Sequence, residues 1–130
     1  MSRWDDFKFE EKIVEILQGT KYIKDNHHLR RPFLSAYQLA IDFALRFPDD
    51  FNQLNLQIGG KGIGEHNSLA QYIANRLSQK IKEKKLPNVE GGFFSNKHLR
   101  ELNFSYLGKD IESSLTHTPY DLSIFRWVGP

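Results

Sequence analysis

Apolar residues recur at helical spacing in three stretches of the chain. Phe9, Ile13, Ile16 and Leu17 fall at i, i+4, i+7 and i+8, which predicts a helix over residues 6–18 with Gly19 just past its end. Ala36, Leu39, Ala40, Phe43, Ala44 and Phe47 predict a second helix. Ser35 is its N-cap, Gln38 three residues on completes a capping box, and Pro48 stops it. Leu69, Ile73, Leu77 and Ile81, with Ala70 and Ala74 beside them, predict a third helix capped by Asn67 or Ser68 and ended by Leu86-Pro87-Asn88. A strict spacing of four drifts around a helix, so the last turn of this one is expected to be exposed.

The pattern changes after residue 88. Residues 89–94, with Gly91-Gly92, predict a bulged strand, and 95–102 a short capped helix. Residues 104–107 and 110–115 predict a hairpin around Gly108-Lys109, 116–119 a turn, and 122–128 a strand or short helix ending near Trp127. Residues 48–66 form a long connection, with a helical turn at 50–54 and an extended piece at 56–58. Residues 20–33 read as a basic exposed loop with a short strand at 21–24. The expected fold is a single α+β domain over residues 1–130: a three-helix core with a small C-terminal antiparallel sheet.

Composition sharpens this in three places. The chain has no cysteine, which excludes a disulfide scaffold, a thiolate metal site and a Cys nucleophile. It opens on Met1-Ser2-Arg3-Trp4-Asp5-Asp6, unlike a secretion signal, and no stretch is apolar enough to span a bilayer, so a cytoplasmic location is expected. The net charge is only +2, but residues 61–85 hold Lys61, Arg76, Lys80, Lys82, Lys84 and Lys85 against Glu65 and Glu83. Positive charge concentrated on one element suits a polyanion.

The densest sequence signal is Gly59-Gly60-Lys61-Gly62-Ile63-Gly64, running into the basic helix. Such a turn lets backbone approach a ligand, and the helix start behind it offers N–H groups to an anion. It is neither a P-loop nor a dinucleotide fingerprint. The expected contacts to nucleic acid are Lys61, His66, Asn67, Ser68, Gln71, Asn75, Arg76 and Lys80, with Gly59, Gly60, Gly62 and Gly64 forming the phosphate-facing turn. The order of elements, three helices with the third basic and then a hairpin, resembles winged helix-turn-helix DNA-binding domains over residues 6–115. That resemblance implies a DNA-binding regulator without catalysis, with Lys109 on a wing beside a duplex phosphate. The turn between second and third helices would be the usual short one only if a helix at 50–54 is the true second helix.

Other chemistry finds less support. His27 and His28 are adjacent and expected to point apart, while His66, His98 and His117 are isolated, so no metal site, and likewise no cofactor, is expected. Acidic residues near lysine in a nuclease-like pattern, Glu10-Glu11-Lys12 and Glu83-Lys84-Lys85, fall on predicted helices. Phe93, Phe94, Phe104, Tyr106, Phe125 and Trp127 are either core or a stacking platform for single-stranded nucleic acid, with core favoured. Trp4 and Trp127 mark a contact with another subunit in the alternative reading, a protein-interaction subunit or regulator, as a homodimer or with a partner. A third reading is an enzyme or sensor with a phosphate-bearing ligand at the glycine turn.

Overall fold

A computed structural model describes residues 3–21, 27–115 and 120–129. The strand expected over 21–24 and the turn expected over 116–119, with His117, fall on or run into residues outside that set. The first helical stretch divides at Lys8, whose φ is 51°, into α1 (Arg3–Asp6) and α2 (Phe9–Gly19). Phe9, Ile13, Ile16 and Leu17 are the buried residues of α2, as their spacing requires. Trp4 is only 2% exposed and stacks on Phe9, which stacks in turn on Phe43 at 4.7 Å between ring centroids. Trp4 therefore belongs to the core and does not mark a subunit contact.

The second helix, α3 (Ala36–Arg46), begins with the expected capping box. Ser35 Oγ accepts from the Gln38 amide at 3.2 Å, and Gln38 Oε1 accepts from the Ser35 amide at 2.7 Å. Together these satisfy two helix-start donors and contribute about 1–2 kcal/mol. Pro48 both prevents α3 from continuing and opens α4 (Pro48–Leu54), where its missing N–H costs nothing. The third long helix, α5 (Leu69–Lys82), buries Leu69, Ala70, Ile73 and Leu77 and leaves Ile81 half-buried, as the drift of its apolar stripe predicts.

A three-stranded antiparallel sheet places β5 (Leu122–Trp127) between β1 (Leu34–Ser35) and the edge strand β2 (Val89–Phe94). It is thus not built from the C-terminal third alone. Phe125 pairs with Leu34 on one side and Gly91 on the other. A separate hairpin joins β3 (Asn103–Tyr106) to β4 (Lys109–Glu112). Its turn is Leu107-Gly108, one residue earlier than expected, with φ of 50° and 78°, the double left-handed geometry of a two-residue turn. Phe104 stacks on Tyr37 of α3 at 5.1 Å.

No helix forms over residues 95–102. Asn96 is instead a cross-link: its Nδ2 donates to the carbonyls of Leu115 (3.0 Å) and Tyr120 (2.7 Å), and its amide donates to Asp121 Oδ1 (3.0 Å). A side chain that bonds distant backbone competes with the local helix. Among the described residues, five α-helices and a small antiparallel sheet make the fold α+β. No helix among the described residues is long and apolar enough to cross a membrane.

Candidate functional site

The glycine turn is a clasp within the fold. Gly59 and Gly60 are buried with φ of 127° and 119°. A Cβ at Gly59 would lie 2.4 Å from Ser68 Oγ, and one at Gly60 would lie 2.9 Å from the Glu112 carbonyl oxygen. The Lys61 amide donates to that same carbonyl at 2.8 Å, fastening the turn to the end of β4. Ile63 and Asn67 amides donate to the Gly60 and Gly64 carbonyls. The start of α5 is closed in the same way. Leu69 and Ala70 amides donate to Gln57 and Ile58, and the Gln71 amide donates to Ser68 Oγ. The amides of Lys61, Ile63, Asn67, Leu69, Ala70 and Gln71 are therefore engaged inside the chain, and Gly59 and Gly60 are buried against Ser68 and Glu112 rather than set out toward a phosphate. Gly62, φ 86°, has open space around it, and Gly64 is exposed.

The polar residues expected to form one contact surface divide into separate groups. Ser68 is buried as the cap of α5, its hydroxyl accepting from the Gln71 amide, and with Gly60 it borders a cleft that Gln71 and Asn75 line. His66 and Asn67 are exposed in a short 3-10 turn. Lys61 has a side chain 71% exposed, with Nζ 3.9 Å from Glu112 Oε2. Gln71 Nε2 donates to Asn75 Oδ1 at 3.1 Å, one helical turn along. Arg76 and Lys80 lie five residues beyond Gln71 and Asn75, roughly 140° around the helix. Arg76 stacks on the Tyr72 ring at 5.6 Å on that far flank. Lys109 starts β4, in the hairpin that packs on α3 and α4 through Tyr37 and Phe51. No single flat face of α5 can present all the expected residues to one duplex.

What Gln71 and Asn75 do line is a cleft of about 550 Å³ between α5 and the sheet. Ser78 continues their row, and Phe93, Ser123, Tyr120 and Asp121 face it from the other side. The wall at Tyr120 and Asp121 is set by the Asn96 bonds. At the α3 end, the Ser114 amide donates to the Tyr37 hydroxyl at 3.0 Å. Phe93 is 73% exposed and Tyr120 69%, so two aromatic rings stand at the mouth. Among the described residues, the lining carries amides, hydroxyls and one carboxylate but no lysine or arginine. It suits uncharged hydrogen-bonding and stacking groups better than a phosphate. Phe104, Tyr106, Phe125 and Trp127 pack against or within the core, as expected for most of the aromatics.

Two further observations complete the electrostatics. The Lys85 ammonium, bonded to Glu83 and aided by the Gln79 amide, holds the Glu83 carboxyl below its ordinary value, just past the end of α5. Among the described residues, no three His, Asp or Glu side chains gather as a metal ion would require. His27 and His28 do not point apart but stack, with ring centroids 4.3 Å apart. Ser78, Tyr120, Asp121 and Asn96 were not singled out from sequence. The i, i+3 spacing of Asn75 and Ser78 was a usable signal, whereas the role of Asn96 depends on contacts 19 to 25 residues away.

No family model matches the chain, and no solved structure matches it. Two curated proteins do. A protein named peptidyl-tRNA hydrolase from Latilactobacillus sakei is 30% identical over 88 residues, covering 65% of this chain and 50% of its own. A protein of the same name from Latilactobacillus sakei subsp. sakei (strain 23K) is 30% identical over 88 residues, covering 65% of this chain and 48% of its own. The chain spans about half the length of the curated relatives it matches. Both relatives carry the name of an enzyme with a tRNA-borne substrate. This overturns the expectation of a DNA-binding regulator with duplex DNA as its partner.

Proposed function

We propose that this chain acts on a tRNA-borne substrate, and that the cleft between α5 and the sheet receives the unpaired 3′ tail of the RNA. The observation that carries the reading is the lining of that cleft. Gln71 and Asn75 offer amide donors and acceptors, Phe93 and Tyr120 offer exposed rings, and no cation among the described residues lines the floor. Unpaired bases are recognised by stacking and by hydrogen bonds to their edges, and ribose adds a 2′-hydroxyl that a carboxylate such as Asp121 can accept. A duplex presents its phosphates first, and the described lining of the cleft has no positive charge to meet them. The names of the relatives supply the RNA class and point to hydrolysis. The side chains described in the cleft bind and orient, and no bond-breaking step is assigned to them.

The test compares labelled intact tRNA, tRNA trimmed of its unpaired 3′ tail, and a DNA duplex of similar length by fluorescence anisotropy at physiological salt. Intact tRNA is expected to bind at least about tenfold more tightly than either competitor, the loss on trimming corresponding to one or two stacked bases. Equal affinity for all three would overturn the reading. Turnover of an N-blocked aminoacyl-tRNA, followed in the same samples, extends the test to hydrolysis.

A further inference from the structure

A second groove, of about 280 Å³, lies beyond the first along α5. The two share Ser78, Phe93 and Ser123, so they meet end to end. The second is bounded by Ile81 and Lys82 of α5 and by Gly91 and Gly92 of β2. Neither glycine has a left-handed φ, so the backbone does not demand them. Gly91 is required only by crowding, since a Cβ there would approach Ile81 Cδ1 to 3.2 Å and the Phe125 ring to 3.3 Å. At Gly92 a Cβ would find nothing nearer than Ile124 at 4.0 Å. Glycine in a strand weakens it and often marks a place where another chain comes close.

We infer that these two grooves form one continuous track for a short single strand of RNA, with Phe93 as the stacking platform at its middle. The inference rests on the RNA reading above and adds a length and a central residue to it. From Ser68 to Lys82 the helix rises roughly 20 Å at 1.5 Å per residue. A strand at 3.4 Å or more per residue covers that distance with about three to six nucleotides. Charge is placed as such a strand needs it. Lys82 stands at the far end, and Lys61 follows Gly60, which lines the near end, while the floor between them is neutral apart from Asp121. Backbone phosphates at the ends and bases along the floor fit that pattern. Among the described residues, Phe93 is the one aromatic bordering both grooves, and its exposure of 73% leaves its ring free of the core.

The experiment measures binding of labelled single-stranded RNA oligonucleotides, about two to eight residues long, to the full chain at physiological salt. Affinity is expected to rise with length and level off at about four to six residues. Phe93→Ala is expected to weaken binding at least about tenfold, and Phe93→Trp to restore it, because the loss is of a stacking surface. Lys82→Glu should weaken the longer oligonucleotides and spare the shortest. Both positions are exposed, so circular dichroism melting should be unchanged in each variant. Affinity that climbs without a plateau, or a Phe93→Ala variant within about twofold of the parent, would overturn the track. The tRNA experiment separates the two ideas. Preference for intact tRNA without oligonucleotide binding removes the track and keeps the RNA reading. Oligonucleotide binding lost with Phe93→Ala, but no preference for tRNA over duplex, removes the reading and keeps the track. No binding of either removes both.

Discussion

Gly59 and Gly60 are buried and hold φ of 127° and 119°, whereas Gly91 and Gly92 lie exposed in an extended edge strand with ordinary φ. In the first pair the fold needs the missing side chain. The space a Cβ would take is filled by Ser68 Oγ on one side and the Glu112 carbonyl on the other. In the second pair the fold needs it only in part, at Gly91, and the opening left behind borders a groove. A glycine-dense sequence thus marks close approach of something, and the something differs. At 59–60 it is the protein itself, and the Lys61 amide that follows is spent on the Glu112 carbonyl. At Gly91 it is the Ile81 and Phe125 side chains, and at Gly92 nothing in the described chain closes the space.

The comparison breaks most visibly at Gly60. Gly60→Ala puts a side chain in a left-handed conformation and drives it against backbone that cannot swing away. The expected loss is about 3 kcal/mol from strain and clash together, a fall of about 12 °C in Tm by thermal melting. A loss below about 1 kcal/mol would mean the clasp to Glu112 is slack and the turn is free after all. Next in size is Ser68→Ala. The hydroxyl caps α5 through the Gln71 amide and fills the space beside Gly59, so its removal should cost about 1 kcal/mol in urea unfolding with the m value unchanged. If Ser68 were instead a contact residue, the variant would keep its stability and lose affinity for RNA.

These outcomes also show where sequence reading worked and where it stopped. The capping box at Ser35 and Gln38, the apolar stripe of α5 and the strand at 89–94, though not its expected bulge, were legible because each is decided by residues a few positions apart. The role of the glycine turn was not, because its partner Glu112 lies in a hairpin far along the chain. Asn96 looked like part of a capped helix for the same reason: local chemistry favoured a cap, and bonds to Leu115, Tyr120 and Asp121 won. Of the candidate site, Gln71 and Asn75 were legible as polar helix positions. Which way they face was not, since that depends on where β2 and β5 dock on α5.

A smaller effect of opposite sign sharpens the comparison at the second pair. Gly92→Ala adds a methyl group into open space on unstrained backbone and removes freedom from the unfolded chain. Stability should rise by about 0.5 kcal/mol, read as a higher urea midpoint. A loss of more than about 1 kcal/mol would place Gly92 with Gly60, as a glycine the fold requires, and would remove the contrast.

The smallest expected effect concerns the flank of α5 that first drew attention. Arg76 and Lys80 sit roughly 140° around the helix from Gln71 and Asn75, with Arg76 laid over Tyr72. The double variant Arg76→Ala with Lys80→Ala leaves the cleft lining intact. Its effect on a short RNA strand should be that of two distant, solvent-screened charges, less than about threefold at physiological salt. Replacing Gln71 and Asn75 by alanine removes the amide pair facing the strand and should cost more than the double charge change. If the order were reversed, the basic flank and not the cleft would be the RNA surface. Gly91 and Gly92 would then border a groove that plays no part in binding, and both glycine pairs would be explained by packing alone.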